Sequence, residues 1–524
     1  MKRISDLEYL KLSKIEAFFY NLKIFLCAIP GWLWSLCLAI WGVIKKFAFG
    51  IRDGVVDIFT TFTQGNWAVK LSFLIFGAGN LYYGQIGRGL LFLLFEVVFV
   101  GYMVIPSGGI HWLSKGQWFQ TGKTVGTVQG GFKEVEKFGE IFEVWVEGDD
   151  SVKVMLYGLL TIIFVVAFIW TWRLQVKQCR INMDIRAQGR RIRKAKDDLR
   201  SLVDDQFHKT LLALPVVGIL LFTVLPIIYM VLVAFTSYDA AHDGYSNLFS
   251  WVGLEHFNEL LDFGNGGLGL AFGEILGWTL MWSFFATFTN YFLGMFVAIA
   301  INKKGIKLKK FWRTALVMTI AIPQFVSLLY VSKLFDSSGI IGELLGKIPF
   351  IANFLKENHY ISLWDCPAVA RFLVIFINIW VGIPYVMLQA TGILMNIPGD
   401  LYESSRVDGA SPWQQYTKIT LPYMLFVTGP ALLTSFVGNL NNFNVIYLLT
   451  GGNPLNTEIG TAGGASIGHT DLLITWLYKM ALGSAESKYY MASVIGILIF
   501  VVCAVLSLII YNVIPSTKNE EDFK

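Results

Sequence analysis

Apolar residues in this chain run in long unbroken stretches, and polar residues gather in the connectors between them. A membrane-spanning helix takes about 20 consecutive, mostly apolar residues. Six stretches meet that requirement: 211–236, 277–301, 312–334, 370–395, 423–449 and 490–513. Two more, 88–105 and 153–172, lie upstream, and 24–44 is apolar enough to span. The stretch 68–85 is ambiguous. Its run Gly77-Ala78-Gly79-Asn80-Leu81-Tyr82-Tyr83-Gly84 reads equally as a turn or as a tightly packed helix end. The predicted class is therefore all-α: a polytopic membrane protein with a six-helix core and extra N-terminal transmembrane helices.

Charge orients these helices, because short cytoplasmic loops collect Lys and Arg. The segment 173–209 holds ten such residues between Arg173 and Arg200, and the loop after 277–301 reads Asn302-Lys303-Lys304-Gly305-Ile306-Lys307-Leu308-Lys309-Lys310. Both are expected inside, and they agree because two spans separate them. Counting onward places 396–422 and the C-terminal tail inside, and 237–276, 335–369 and 450–489 outside. Counting backward places 106–152 outside. Before residue 88 the rule decides nothing. The chain thus divides into an N-terminal accessory membrane region (1–172), a basic cytoplasmic linker (173–209), the six-helix core (210–515) and a short tail (516–524). The linker reads either as an amphipathic helix on anionic lipid or as a topology determinant only.

Composition removes other classes. Among 524 residues, 55% are hydrophobic and 15% charged, against about 25% charged in an average soluble domain. The formal charge of +5 invites a nucleic-acid reading. The basic residues lie beside apolar segments, so topology accounts for them and no nucleic-acid partner is expected. Cys27, Cys37, Cys179, Cys366 and Cys503 are scattered, which supports neither a disulfide framework nor a metal site. Met1-Lys2-Arg3 is followed by polar residues, so no cleaved signal peptide is expected. Gly122-Lys123-Thr124 is the only GKT, but Gly116 is one residue too distant for a P-loop. Neither a nucleophile elbow nor an HExxH occurs. The chain reads as a non-enzyme with no catalytic residues.

The cytoplasmic stretch 401–422, LYESSRVDGASPWQQYTKITLP, carries the most specific signal. Glu403-Ser404-Ser405 is followed after three residues by Gly409, and after nine more by Ile419-Thr420-Leu421-Pro422. A short helix over 400–407 with Asp400 as N-cap, a turn at Gly409, and a second helix from Pro412 to Ile419 form a helical elbow. Leu421-Pro422 is expected to end that second helix. The stretch resembles the EAA loop of ABC importer permeases, with Ser replacing Ala at 404 and 405; Asp408 also matches. The resemblance covers about 205–515 and is closest to the MalF-like permeases of maltodextrin and related oligosaccharide importers. Supporting stretches are Ala234–Asp239, Trp251-Val252-Gly253, Trp380–Tyr385, Asn441–Asn444 and Leu448–Gly452.

That resemblance implies a bacterial inner-membrane location, a second MalG-like permease and two ATPase subunits that use ATP and Mg²⁺; this chain needs no cofactor. The short 237–276 loop leads us to expect an extracellular sugar-binding lipoprotein. The resemblance also carries an intramembrane sugar site onto Val381, Gly382, Tyr385, Ser435, Gly438, Asn439 and Asn442. Residue chemistry agrees in part. Ser435, Asn439 and Asn442 would share one stripe of a continuous helix, and polar groups on a span face an interior or a cavity. Interhelical hydrogen bonding is the competing use of such residues. Pro384 and Pro323 lie inside spans and predict kinks. Another carbohydrate remains an open alternative (a polyol, a glycerol phosphate, an aldouronate-type sugar). A secondary transporter is disfavoured, because ion coupling needs ionisable residues at mid-span and the core has almost none.

Overall fold

In a computed structural model, the structure describes residues 41–513, except 43, 44, 47, 48, 51, 138, 139, 243–246, 264–266, 304, 484 and 485. The 24–44 span, Cys27, Cys37 and the tail lie essentially outside the described residues. Contacts divide the chain into two units. One comprises the described residues up to Trp112 together with Leu159–Val217; the other comprises Leu113–Gly158 together with the chain from Gly218.

The first unit answers the ambiguity at 68–85. No span forms there. Two short helices, Trp67–Leu71 and Ala78–Tyr82, flank Gly77, whose φ of 80° is left-handed. A Cβ on Gly77 would collide with the Gly89 backbone, so this turn needs glycine twice over. Helix α1 (Ile86–Val104) follows. It packs on α2 (Ser151–Ala187) through Phe95, Phe99 and Tyr102, four and three residues apart, against Phe164 and Phe168. Toward the end of α2, polar residues are buried in pairs. Asn182 donates to Gln85 Oε1 at 2.9 Å, and Gln175 Oε1 accepts from Gly77 N at 3.1 Å. The linker forms α3 (Ala195–Val203), and α4 (Phe207–Val233) begins the core.

The second unit holds a lobe, built from the segments before α2 and after α4, and the remaining spans. In the lobe, β1 (Gly131–Lys137) pairs antiparallel with β2 (Glu140–Val146). The segment before the hairpin zips onto the loop after α4. Gly122 N donates to Trp251 O at 2.7 Å, Trp251 N to Lys123 O at 2.9 Å, and Val125 N to Phe249 O at 2.8 Å. The Trp251 ring is 1% exposed and its indole donates to Gly116 O.

Then come α5 (Gly267–Asn302), α6 (Lys309–Ala321), α7 (Gln324–Leu334), α8 (Pro367–Leu394), α9 (Gly399–Val407), α10 (Pro412–Leu440), α11 (Phe443–Leu449), α12 (Leu473–Leu482) and α13 (Tyr489–Val513). Among the described residues, seven helices are long and apolar enough to cross a membrane. The expected 312–334 span is not one kinked helix. It breaks by 94° between α6 and α7, where Ile322 adopts extended geometry before Pro323. The pair nevertheless passes from one end of the core to the other. Arg313 at its start bonds Asn302 at the inner end of α5, and Ser332 near its end bonds Leu449 O at 2.6 Å. Trp278, Trp282, Leu328, Val374, Ile377 and Ile446 form the core among α5, α7, α8 and α11. Near the inner ends, Met295, Met387 and Met424 pack together.

The lobe yields two predictions. Trp251→Ala removes a fully buried ring and an indole bond, and should destabilise the lobe by about 3–5 kcal/mol. Faster trypsin cleavage at exposed Lys123 would report it. Burial pushes the Asp149 carboxyl up, but bonds from the Lys115 ammonium and the Thr127 and Val128 amides outweigh it and hold it below the ordinary value. A depressed carboxylate stabilises fully above its unfolded pKa, about 3.9, and that contribution is lost as pH falls through the lower folded value. Protection of Lys123 should thus persist at pH 5, and Asp149→Asn should abolish it already at pH 7.

Candidate functional site

Two features of the second unit combine the residues singled out by sequence: the elbow and a cavity among α5, α8 and α10. In the elbow, α9 starts at Gly399 after Pro398, so Asp400 lies in its first turn and is not the N-cap. Pro398 supplies the extended backbone that starts the helix, and Asp400 favours the positive helix end from within. Asp408 N donates to Ser404 O and Ala410 N to Ser405 O, closing the helix over Gly409, whose φ is 77°. A left-handed residue at that cap is why glycine recurs at the centre of the motif. Ser411 then caps α10 reciprocally with Gln414.

The expected helix end at Leu421-Pro422 does not occur. Proline at 422 has no N–H to offer the Lys418 carbonyl, and the ladder widens instead. Over Tyr416–Thr420 it becomes a π-turn, with Leu421 N bonded to Tyr416 O, and α10 continues to Leu440. Two ties lock α9 to α10. Gln415 Nε2 donates to Ser405 Oγ at 2.8 Å, and Tyr402 Oη meets Thr420 Oγ1 at 2.8 Å. Glu403, Ser404, Asp408 and Gly409 are exposed on the outer surface of the elbow beside Val407 (88% exposed) and Trp413 (70%). Ile419 and Leu421 are half-buried, Leu421 packing on the inner core, and Pro422 is exposed. The elbow is thus a rigid body with an uncovered apolar ridge.

The cavity measures about 190 Å³. Four of the residues singled out by sequence, Gly382, Tyr385, Ser435 and Asn439, line it. Val381 lines a narrow neighbouring crevice with Ser327, sharing Tyr385 as the dividing wall. Gly438 and Asn442 are not among the lining residues. The expected polar stripe is interrupted because α10 ends at Leu440, and Asn442 caps α11 by accepting from Val445 N. Asn439 also ties helices together, donating to Thr287 Oγ1 at 2.9 Å and accepting the Trp282 indole on its carbonyl at 3.0 Å. Pro384 is buried inside the uninterrupted α8, where it removes the ladder donor to the Trp380 carbonyl.

The remaining wall comes from α5, which sequence reasoning passed over. Thr287, Asn290 and Tyr291 sit three and four residues apart on one face, joined by Gln389 and Thr428 from the other walls. The Tyr291 hydroxyl meets Thr428 Oγ1 at 2.8 Å. Asn290 presses its carboxamide against Gly382, where a Cβ would collide with it. Its Oδ1 is buried with no protein hydrogen-bond partner. A polar stripe on an apolar span is the signal in the sequence that marks this wall.

This chemistry suits a polyhydroxylated solute: amides and hydroxyls able to donate and accept, an aromatic ring, and no charge. Charges cluster at the outer end instead. There Glu274 meets Arg371 and His469 and accepts from Asn456 Nδ2 at 3.1 Å, while Arg371 stacks on Trp278. Among the described residues no group of His, Cys, Asp and Glu is arranged to hold a metal ion.

Comparison with known proteins identifies the family. The family described as "Binding-protein-dependent transport system inner membrane component" matches residues 290–519. The chain is 30% identical over 381 residues to the maltodextrin transport system permease protein MalC of Streptococcus pneumoniae, covering 71% of this chain and 84% of that one. It is 30% identical over 468 residues to the maltodextrin transport system permease protein MdxF of Bacillus subtilis, covering 88% and 98%. It is also 30% identical over 387 residues to the galactooligosaccharides transport system permease protein GanP of the same organism, covering 72% and 86%.

Stability measurements separate the two kinds of cavity residue. Thr428→Val breaks the Tyr291 bond and should cost about 1 kcal/mol. Asn290→Leu removes an unsatisfied buried acceptor, whose desolvation costs about 1–3 kcal/mol. The solubilised Leu variant should therefore melt no lower than the natural protein, and the Val variant should melt lower.

Proposed function

The chain belongs to the family of binding-protein-dependent transport system inner-membrane components, and on that premise we propose that it is the permease subunit of an ABC importer moving a maltodextrin-like oligosaccharide. The elbow carries the proposal. Its spacing, its closure at Gly409 and its uncovered ridge make it a rigid piece suited to a cleft on a soluble ATPase. Glu403, Ser404, Ser405, Asp408, Gly409, Ile419, Leu421 and Pro422 form the coupling element. Two ATPase subunits use ATP and Mg²⁺, while this chain binds neither and catalyses no reaction. A second, MalG-like permease completes the translocation path, and an extracellular sugar-binding lipoprotein delivers the substrate.

The sugar passes along the cavity walls. Tyr385 offers a ring face, and Gly382 leaves room for the sugar. Ser435 and Asn439 exchange hydrogen bonds with its hydroxyls, joined by Asn290, whose free carbonyl oxygen accepts one. Val381, Gly438 and Asn442 act on the same path, Val381 from the adjoining crevice. The cavity is smaller than the roughly 300–1,000 Å³ usual for ligand sites. It admits one end of a chain until the helices part. Equal identity to a galactooligosaccharide permease favours one second reading: the same machinery with a galactooligosaccharide as cargo.

The test is uptake of radiolabelled maltotriose by cells deleted for this chain and complemented with variants. The natural sequence should restore uptake. Gly409→Trp should insert normally and restore none, and Asn290→Leu should insert normally and raise the KM for uptake about tenfold, as loss of one hydrogen bond near 1.4 kcal/mol would. Restoration of galactotriose uptake and not maltotriose uptake would move the substrate to the second reading. Equal restoration by natural and Gly409→Trp chains would sink the coupling role of the elbow.

A further inference from the structure

The linker helix α3 contributes no residue to the cavity lining or to the elbow, yet it is built and held in place. Its nine residues, Ala195–Val203, separate into arcs. At about 100° per residue, Leu199 and Val203 share one stripe, and Lys196 with Arg200 lies about 60° round the helix from it. Asp198 falls on the opposite flank. The two apolar side chains are exposed, Leu199 by 66% and Val203 by 75%, and Phe207 beyond the helix is exposed by 51%. Arg190, Arg191, Arg193, Lys194, Lys196 and Arg200 are all exposed as well.

What covers that apolar stripe follows from where α3 is fastened. Arg88, in the first turn of the span α1, grips Asp198 with both arms of its guanidinium, Nε to Oδ2 and Nη2 to Oδ1, each at 2.6 Å. Gln85 Nε2 donates to Arg193 O at 3.2 Å, and Gly87 sits so close that a Cβ there would lie 3.0 Å from the Ala195 methyl. Three consecutive contacts thus fix α3 at the mouth of a span, the level where hydrocarbon gives way to headgroups. The pair also neutralises Asp198, and Asp197 lies 3.9 Å from Arg191, so Arg190, Arg193, Lys194, Lys196 and Arg200 carry most of the positive charge open to an anion. At this level a stripe of Leu and Val meets acyl chains, and lysines and arginines beside it reach phosphates.

We propose that 188–207 is a binding site for acidic phospholipid: Leu199 and Val203 enter the acyl region while Arg190, Arg191, Arg193, Lys194, Lys196 and Arg200 hold anionic headgroups. Clusters of four to eight basic residues beside a span have this affinity in general. The cargo and the coupling elbow play no part in it.

Hydrogen exchange of the full chain in nanodiscs tests it. Amides of 195–203 should exchange at least about tenfold more slowly in discs of phosphatidylcholine with one-third phosphatidylglycerol than in phosphatidylcholine alone. The contrast should vanish in Arg190→Gln/Arg191→Gln/Arg193→Gln/Lys194→Gln, whose altered side chains are exposed, and shrink in high salt. Arg88→Gln should weaken protection in both lipids while keeping the phosphatidylglycerol preference. Equal exchange in the two lipids overturns the site. Protection by inorganic phosphate in detergent makes it a free-anion site and overturns the lipid reading. So does protection that arises only when the ATPase subunit is added, which would assign the surface to that protein.

Discussion

A peptide group in hydrocarbon has no water to bond, and the architecture of this chain follows from that constraint. Helices satisfy it at every residue except where proline withholds a donor. The core meets proline in three ways. At Leu225-Pro226 and at Leu421-Pro422 the preceding turn widens to a π-turn, and the helix continues. At Pro323 the backbone turns away by 94°, and α7 restarts from the proline as its cap. At Pro384 the helix continues without a break, with the proline buried. Irregular backbone of this kind is tolerated at membrane depth where it is buried in protein or lines a cavity. Crevice and cavity indeed lie beside Pro323 and Pro384, with Ile322, Val381 and Tyr385 among their lining.

This constraint explains what was legible in the sequence. A run of 20 apolar residues admits few interpretations, so the spans from 88 onward were readable at the level of existence. The elbow was readable because two fixed spacings pin down two short helices and a left-handed turn, and the family resemblance rests first on the same residues. Details that depend on distant partners were not readable. A proline gives no local clue to whether the ladder will widen, break or run on, and so Leu421-Pro422 reads in sequence as an end although the helix continues. Asn442 obeys helical spacing, yet it caps the next helix once α10 stops at Leu440. The α5 wall was missed for a related reason. Thr287, Asn290 and Tyr291 carry no glycine or proline to mark them, and only packing against Gly382 and Thr428 brings them to the cavity. In the lobe, Trp251 finds Gly116 across more than a hundred residues, a pairing no local pattern announces.

Polar residues in the core follow a second division. Charged side chains stay at the ends, where Glu274, Arg371 and His469 hold the 450–472 loop and Asp471 is buried against Lys479 at 2.7 Å. Burial pushes the Asp471 carboxyl up, and the ammonium with the Gly468 amide opposes that shift. The polar groups that line the cavity are neutral amides and hydroxyls. Such a lining suits a hydroxylated solute and offers no fixed charge that an ion could follow.

The elbow and cavity are also mechanically continuous. Helix α10, capped by Ser411, carries Gln415 in the elbow and Thr428, Ser435 and Asn439 in the cavity wall. Thr420 to Ser435 is fifteen residues, about 22 Å of helix. Across Met395–Pro398 the elbow leads directly into α8, which carries Gly382, Tyr385 and Gln389. The third wall is tied in at the base, where Asn302 of α5 donates to Thr391 of α8 at 3.1 Å. Force entering at Gly409 would reach all three walls, provided the lever does not yield at its weakest turn. That turn is the π-segment Tyr416–Thr420, whose wider ladder is the least regular part of α10. Thr420 is buried there and bonded to Tyr402 of α9. The bond therefore braces the lever where proline weakened it, and the proline and the brace are best understood as one device.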